Sequence, residues 1–221
     1  MTTYNDTLSE YITDLFATED AALQTIRETI QEKGLPAIHI KPEEGRFLQC
    51  LTRACDTVKA LEIGTLGGYS GVWIARGLAP GGRLITLEKE PKHAEVARDN
   101  FEIAGVADQV EVLVGPALEL LPSLTGEAPF DFVFIDAAKS EYQQYFDWAL
   151  KNVRMGGTIV AHNAFRQGDI VEKEGEEMDP GTEAIRVFNR HVAEEPDVIS
   201  TIYPAGDGMV VAVKVAPTNP I

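Results

Sequence analysis

The stretch Val-Lys-Ala-Leu-Glu-Ile-Gly-Thr-Leu-Gly-Gly-Tyr-Ser, residues 58–70, decides the fold class of this chain. It consists of an apolar strand over residues 58–63, a glycine-rich turn and the start of an amphipathic segment. Gly64, Gly67 and Gly68 remove Cβ atoms where the backbone must bend sharply and approach a ligand. A strand, turn and helix in this order are typical of α/β proteins that hold a nucleotide-like ligand. The stretch therefore predicts an α/β protein with a ligand site at the end of its first strand.

Two acidic residues indicate which ligand that site prefers. Glu62 puts a carboxylate at the strand end, where it would repel a pyrophosphate, and the turn departs from the dinucleotide pattern Gly-x-Gly-x-x-Gly. The same carboxylate suits the sulfonium and ammonium groups of S-adenosylmethionine. Glu88 lies 24 residues after Gly64, a distance at which a carboxylate can accept hydrogen bonds from ribose hydroxyls. Alternatively, the negative charge of Glu88 stabilises the start of the helix around Glu90 and Pro91.

Composition limits the partners of the chain. Its 221 residues contain 19 lysines and arginines against 35 acidic residues, a formal charge of −16, which disfavours nucleic acid and anionic membranes. There is no basic or apolar leader and no apolar run long enough to span a membrane, so the sequence predicts a cytoplasmic protein. Cys50 and Cys55 share a predicted helix at a spacing that suits neither a disulfide nor a zinc site, and buried thiols are expected.

The length of the chain predicts one domain over residues 1–221. Hydrophobic periodicity divides it into a helical lead-in at 1–57 and an α/β core at 58–215. The lead-in contains amphipathic segments at 7–15 and 19–33 and a third helix from Pro42. The core is predicted to alternate strands and helices in a parallel sheet and to end in an antiparallel hairpin. Its predicted strands are 58–63, 83–88, 110–114, 130–135, 157–161, 198–203 and 209–215, and its predicted helices are 70–79, 91–104, 117–124, 140–150 and 182–194. The glycine-rich, acidic stretch 163–181 is predicted to be a lid or a disordered loop, with its acidic run 172–179 as a solvated face.

Polar side chains follow two apolar strands that should be close in the sheet. Asp136, His162 and Asn163 can converge there and together could hold a divalent cation with positions left for water or a chelating substrate. Singly, Asp136 could cap the next helix, Asn163 could shape a turn and His162 could satisfy a backbone carbonyl. Lys139, three residues beyond Asp136, could accept a phenolic proton or be an ordinary surface charge.

Ordered matches along the chain carry a family resemblance. They are Pro-Glu-Glu-Gly-Arg-Phe-Leu at 42–48, Leu-Glu-Ile-Gly-Thr at 61–65, Gly-Tyr-Ser at 68–70, Gly-Pro-Ala at 115–117, Phe-Asp-Phe-Val-Phe-Ile-Asp at 130–136, Gly-Gly-Thr-Ile-Val-Ala at 156–161, Ile-Arg-Val-Phe-Asn at 185–189 and Gly-Asp-Gly at 206–208. In these the chain resembles the cation-dependent O-methyltransferases of the catechol and caffeoyl-CoA type, which are class I S-adenosylmethionine enzymes. The resemblance implies a Rossmann-like α/β fold with a mostly parallel seven-stranded sheet, an antiparallel C-terminal hairpin and helices on both faces. It also implies a homodimer and methylation of a hydroxyl on a small aromatic vicinal diol.

The resemblance also implies roles for individual residues. Lys139 falls at the position of the general base, and the metal positions are Asp136, His162 and Asn163. The residues implied for the S-adenosylmethionine site are Ile38, Ile40, Glu62, Gly64, Gly68, Tyr69, Ser70, Glu88, Ala117, Asp136 and Tyr142.

Two departures from the family pattern leave alternatives open. His162 stands where the family usually has an aspartate, which replaces a hard anionic oxygen with a nitrogen that favours transition metals over Mg²⁺. Ala138 stands where a second acid is frequent. One alternative is a metal-independent methyltransferase that uses His162 or Lys139 as its base. Another is a catalytically silent cofactor-binding protein, and a nicotinamide dehydrogenase is disfavoured by the glycine spacing and the antiparallel ending.

Overall fold

A computed structural model describes residues 4–171 and 178–216. In this part of the chain seven strands form one sheet, in the order β3-β2-β1-β4-β5-β7-β6. The strands are β1 Lys59–Ile63, β2 Arg83–Glu88, β3 Val110–Val114, β4 Phe130–Ile135, β5 Val153–His162, β6 Val198–Tyr203 and β7 Met209–Lys214. The first five pair in parallel, and β7 pairs antiparallel with both β5 and β6. The predicted parallel sheet with an antiparallel C-terminal hairpin is confirmed.

Helices lie before the sheet and between its strands. The lead-in helices are α1 Asp6–Phe16, α2 Ala21–Glu32 and α3 Pro42–Ala54. The later helices are α4 Tyr69–Gly77, α5 Pro91–Ile103, α6 Ala117–Leu120, α7 Tyr142–Asn152 and α8 Pro180–Glu194. Among the described residues, no helix is both long enough and apolar enough to cross a membrane.

The sheet is covered on both faces, which explains its near-continuous apolar strands. Successive side chains of a strand point to opposite faces. In β4, Phe132 and Phe134 pack into one core cluster, with α4 and the lead-in helices, and Val133 and Ile135 pack into the other, with α7 and α8. All four side chains are fully buried. A strand that is apolar at every position therefore fits a parallel sheet with helices on both sides.

Two predicted elements differ from those observed by more than two residues at one end. The predicted helix 117–124 is α-helical only to Leu120 and continues as a 3-10 turn, because Pro122 cannot donate the backbone hydrogen bond that a longer helix needs. Strand β5 begins at Val153, earlier than predicted, because an irregularity in its pairing with β4 accommodates the two glycines at 156 and 157. Residues 172–177 of the acidic run lie outside the described part of the chain.

The prediction of buried thiols is wrong. Cys50 is exposed and Cys55 is half-buried, with its Sγ atom 3.1 Å from Oγ1 of Thr158. Helix α3 buries the face that carries Leu48 and Thr52, and position 50 lies about 200° around the helix from Leu48. The helical period thus places Cys50 on the outer face.

Candidate functional site

The carboxyl ends of β1, β2, β4 and β5 form one polar edge of the sheet. Gly64, directly after β1, has a φ of +101°, and a Cβ atom at this position would overlap the backbone carbonyl oxygen of Asp136. Its N–H group donates to the carbonyl of Leu87 in β2 over 3.0 Å, and the N–H of Asp136 donates to the carbonyl of Ile63 over 2.8 Å. A glycine with positive φ is therefore required where the ends of three strands meet.

Glu62 is fully buried beneath the glycine turn. Its carboxylate accepts hydrogen bonds of 2.6 Å from Oγ of Ser70 and from Oγ1 of Thr86. Burial raises the pKa of Glu62 to about 7, against the opposing effect of the two hydroxyls, and the negative charges of Asp136 and Glu88 add to the rise. A cation bound nearby would favour the ionised form of this carboxyl group.

Glu88 anchors the glycine turn. Its Oε2 atom accepts from the N–H of Leu66 at 2.7 Å and from that of Thr65 at 3.3 Å. Its Oε1 atom accepts from the N–H of Glu90 at 2.9 Å, directly before α5. The alternative role at a helix start is thus present in the structure, and the ribose contact stays a prediction.

The remaining residues predicted for the cofactor site lie around the start of α4 and at α6. Gly68 has a φ of +82° and caps α4, and the buried Tyr69 donates from its hydroxyl to Glu19 over 2.7 Å. The ring of His39 lies 5.1 Å from that of Tyr69, which brings the segment 38–40 to this region. Ile38 in this segment is 69% exposed, whereas Ile40 is buried in the core. Ala117 is half-buried at the first position of α6.

A second cluster surrounds Asp136. The Nζ atom of Lys139 donates to Oδ1 of Asp136 over 2.7 Å and to the hydroxyl of Tyr142 over 2.8 Å. The Tyr142 hydroxyl also lies 3.3 Å from the same Oδ1 atom. Burial alone would raise the pKa of Asp136, but the charges of Lys139 and His162 hold it below its usual range. Asp136 is therefore a carboxylate that orients the Lys139 ammonium.

His162 bridges two carboxylates at the end of β5. Its Nδ1 atom is 3.1 Å from Oδ2 of Asp136, and its Nε2 atom is 2.9 Å from Oε1 of Glu44. Burial by itself lowers the pKa of His162, but Asp136 and Glu44 outweigh it and raise the pKa to about 10. The ring is therefore a buried imidazolium.

The side chain of Asn163 forms no hydrogen bond with the other two residues of the predicted metal site. It adopts a left-handed backbone conformation with a φ of +61°, and its Nδ2 atom donates to Oδ2 of Asp207 over 2.8 Å. The structure thus brings Asp136 and His162 together but directs the Asn163 amide to the loop before β7. This contact with the 206–208 turn agrees with the turn-shaping alternative.

Glu44 is a site residue for which the sequence analysis assigned no role. It lies in the first turn of α3, where it accepts from the N–H of Lys41 over 2.8 Å. Its other oxygen reaches His162, and the side chain is 2% exposed. In the sequence, only the family match at residues 42–48 pointed to a role for Glu44, because no local pattern links α3 to the end of β5.

A sequence model of the O-methyltransferase family, described as "O-methyltransferase", matches residues 13–215. The chain belongs to the O-methyltransferase family. The predicted class I fold and the prediction of an S-adenosylmethionine-dependent O-methyltransferase are thereby confirmed.

Individual relatives of this O-methyltransferase cover most of its length. The catechol O-methyltransferase of Niastella koreensis is 43% identical over 199 residues, which are 89% of this chain and 89% of that protein. The catechol O-methyltransferase of Mycobacterium tuberculosis is 43% identical over 196 residues, 88% of this chain and 89% of that protein. The crystal structure of an O-methyltransferase from Bacillus cereus in complex with SAH has a TM-score of 0.86 and 39% identity, covering 94% of this chain and 97% of that chain.

The glycine turn of this O-methyltransferase fits S-adenosylmethionine. A Cβ atom at Gly64 would overlap the Asp136 carbonyl and one at Gly68 would overlap the Phe101 ring, so only glycine lets the bare backbone of this turn, the glycine cradle, pack at the strand ends. The buried carboxyl group of Glu62 offers a negative charge to a cationic ligand beneath that cradle.

The residues predicted for a divalent cation do not fit one in this O-methyltransferase. Both ring nitrogens of His162 face carboxylate oxygens, and a carboxylate only accepts hydrogen bonds, so both nitrogens carry protons and neither has a lone pair for a metal. Both oxygens of Asp136 already accept from Lys139 and His162. Across residues 4–171 and 178–216, no group of three or more His, Cys, Asp or Glu side chains is arranged to hold a metal ion.

Proposed function

We propose that this O-methyltransferase transfers the methyl group of S-adenosylmethionine to a hydroxyl of a small aromatic vicinal diol of the catechol or caffeoyl kind. The observation that carries the proposal is the Lys139–Asp136 pair, 2.7 Å apart, directly beside the Gly64 cradle. A proton acceptor at the edge of a cofactor site is what transfer to a hydroxyl requires. The names of two relatives, both catechol O-methyltransferases, support the acceptor class.

Cofactor binding is proposed to rest on the two buried acids and the glycine turn. Glu62, ionised in the complex, would offset the positive charge of the cofactor, and Glu88 would accept from ribose hydroxyls with the lone pairs that its backbone contacts leave. Gly64, Gly68, Tyr69 and Ser70 would surround the methionine part of the cofactor. Further proposed contacts are Ile38, Ile40, Ala117, Asp136 and Tyr142. The Bacillus cereus neighbour, which binds SAH, supports this class of ligand.

In the proposed reaction the Lys139 ammonium first releases a proton to solvent, and the free amine then takes the proton of the acceptor hydroxyl. The phenolate oxygen then forms a bond to the methyl carbon as the bond from that carbon to sulfur breaks, and the sulfur keeps the electron pair. S-adenosylhomocysteine, the methyl ether and a Lys139 ammonium result. Asp136 and the Tyr142 hydroxyl hold that ammonium in the arrangement described above. Catalysis would come from orientation and proton removal.

A divalent cation was the expected helper in this step, and its role is not supported by the donor set at Asp136, His162 and Asn163. We therefore propose the metal-independent alternative, with Lys139 as the base. The buried imidazolium of His162 favours this alternative, because a ring with both nitrogens protonated neither binds a metal nor accepts a proton.

The proposal extends to the assembly of the protein. A cytoplasmic location stays a prediction, and a homodimer is proposed from the family resemblance; light scattering on the purified full chain tests its mass. Nucleic acid and membranes are not proposed as partners, in keeping with the formal charge of −16.

The test is formation of S-adenosylhomocysteine with catechol or caffeate as the acceptor. The expected result is turnover that depends on the acceptor and falls by about 100-fold or more in Lys139→Met, as for loss of a general base. Lys151→Met is the matched control, since this exposed lysine lies at the end of α7, and it should keep wild-type turnover. Cofactor binding without turnover for either acceptor would contradict the proposal and support a silent binder.

A further inference from the structure

His162 occupies a position that joins three separate parts of the fold. It ends β5, its Nδ1 atom meets Asp136 after β4, and its Nε2 atom meets Glu44 in the first turn of α3. The ring is 6% exposed, so these contacts are largely shielded from solvent and are not a surface ion pair. We propose that the Glu44–His162–Asp136 bridge takes the place of a divalent cation in this enzyme and leaves it unable to bind one. The inference rests on the proposed function.

Glu44 is held firmly in the orientation that the bridge needs. Its Oε2 atom accepts from the N–H of Lys41, and its Oε1 atom, besides the His162 contact, lies 3.3 Å from the N–H of Asp207. Gly206 packs so closely that a Cβ atom there would overlap the Glu44 carboxylate. The turn before β7 is thus built around this carboxylate, and the bridge is part of the fold.

The charges of the cluster explain why a cation is excluded. Asp136 and Glu44 are negative, and His162 and Lys139 are positive, so the four side chains balance one another. A divalent ion would add two positive charges to a neutral, largely buried group, and burial of uncompensated charge is strongly unfavourable. With an aspartate at position 162, the same four positions would carry two uncompensated negative charges, which is the charge that a divalent ion neutralises.

Position 162 is therefore expected to decide whether the site binds metal. In His162→Asp the imidazolium is lost, and the carboxylates of Asp136, Glu44 and the introduced side chain become available as oxygen donors. The matched control is His191→Asp, because His191 also pairs with an aspartate, its Nε2 atom lying 2.9 Å from Oδ1 of Asp147, but on the outer helices α7 and α8. The two substitutions replace the same side chain by the same carboxylate.

The experiment is titration calorimetry of the full-length wild type and both variants with Mn²⁺ alone, after metal is stripped, with S-adenosylhomocysteine binding as the check that each variant is folded. The expected result is no saturable Mn²⁺ binding by the wild type or His191→Asp, and one site per chain in His162→Asp. Saturable binding by the wild type would overturn the inference, and so would a folded His162→Asp that binds no Mn²⁺. If His162→Asp does not fold, the wild-type titration alone decides. Mn²⁺ binding is measured without turnover, so the result does not depend on whether the protein methylates a phenol.

Discussion

Nε2 of His162 lies 2.9 Å from Oε1 of Glu44, although the two residues are 118 positions apart in the chain. This contact ties the lead-in helix α3 to the polar edge of the sheet, where the proposed base Lys139 is held by Asp136. The lead-in is therefore connected to the reaction site through a buried ion pair as well as through apolar packing.

Replacement of Glu44 by glutamine tests this connection. Glu44→Gln keeps the shape of the side chain but removes the charge that faces the imidazolium, and the free energy of unfolding should fall by about 1–3 kcal/mol. Turnover should fall as well, with S-adenosylhomocysteine affinity unchanged, because the Asp136–Lys139 arrangement is disturbed. Urea unfolding and steady-state kinetics provide the two measurements.

The neighbouring Glu43 provides the control for this substitution. It is equally buried but holds the N-terminal segment, through contacts from Tyr4 and from Ser9 and Thr13 of α1. Glu43→Gln should lower the free energy of unfolding by a similar amount but leave turnover unchanged. Equal turnover losses in both variants would assign Glu44 a purely structural role.

The ionisation of Glu62 should make cofactor binding depend on pH. In the free protein its pKa is raised to about 7, so below that pH the carboxyl group is mostly protonated, and binding of the cationic cofactor should release a proton. Affinity should therefore rise as the pH increases towards 7 and then level off. Calorimetry in buffers of different ionisation enthalpy, below and above pH 7, measures this proton directly. Glu62→Gln should abolish the release, and a release that persists in this variant would assign it to another group.

The ionisation of Glu62 also affects the stability of the free protein, which should fall as the pH rises, whereas cofactor affinity should increase. Because the folded pKa of Glu62, about 7, lies above the ordinary value of 4.5, this group stabilises the fold fully below pH 4.5. That contribution is lost as the pH rises through 7. A stability profile of Glu62→Gln should lack this component.

The glycine cradle can be tested by two alanine substitutions at positive φ. Gly64→Ala would force a Cβ atom into the Asp136 carbonyl at a φ of +101°, whereas at Gly34, with a φ of +67°, nothing lies within 4 Å. Gly34→Ala should cost only the backbone strain of about 1 kcal/mol. Gly64→Ala should lower the melting temperature more and also weaken S-adenosylhomocysteine binding. Equal effects of the two substitutions on cofactor affinity would contradict the cradle.

Much of this fold could be predicted because its local signals are strong. Strands 83–88, 110–114 and 130–135 match the structure to the residue, since each is an apolar run between clear breaks. The meeting of Asp136 and His162 follows from the rule that parallel strands end at one edge. The contact of His162 with Glu44 could not be predicted, because it depends on how α3 packs beside the sheet, and the period within a helix says nothing about a partner 118 positions away.

The choice of acceptor should show that no metal ion chelates the two hydroxyls of the diol. A metal ion would hold both oxygens of a vicinal diol, whereas Lys139 engages one hydroxyl, so an aromatic diol with separated hydroxyls should also be methylated. We expect kcat/KM for resorcinol to lie within about tenfold of that for catechol, a difference of about 1.4 kcal/mol. Initial rates of S-adenosylhomocysteine formation compare the two. Strict dependence on neighbouring hydroxyls would indicate a chelating site.

The most direct test of the account is the rate of catechol methylation by metal-stripped wild-type protein, in excess EDTA and again with Mn²⁺ restored. The bridge of His162 between Glu44 and Asp136 predicts turnover in EDTA that restored Mn²⁺ changes by less than about twofold, because no step uses a Lewis acid. Turnover that is absent in EDTA and appears with Mn²⁺ would contradict the account and return Asp136, His162 and Asn163 to the role of metal ligands.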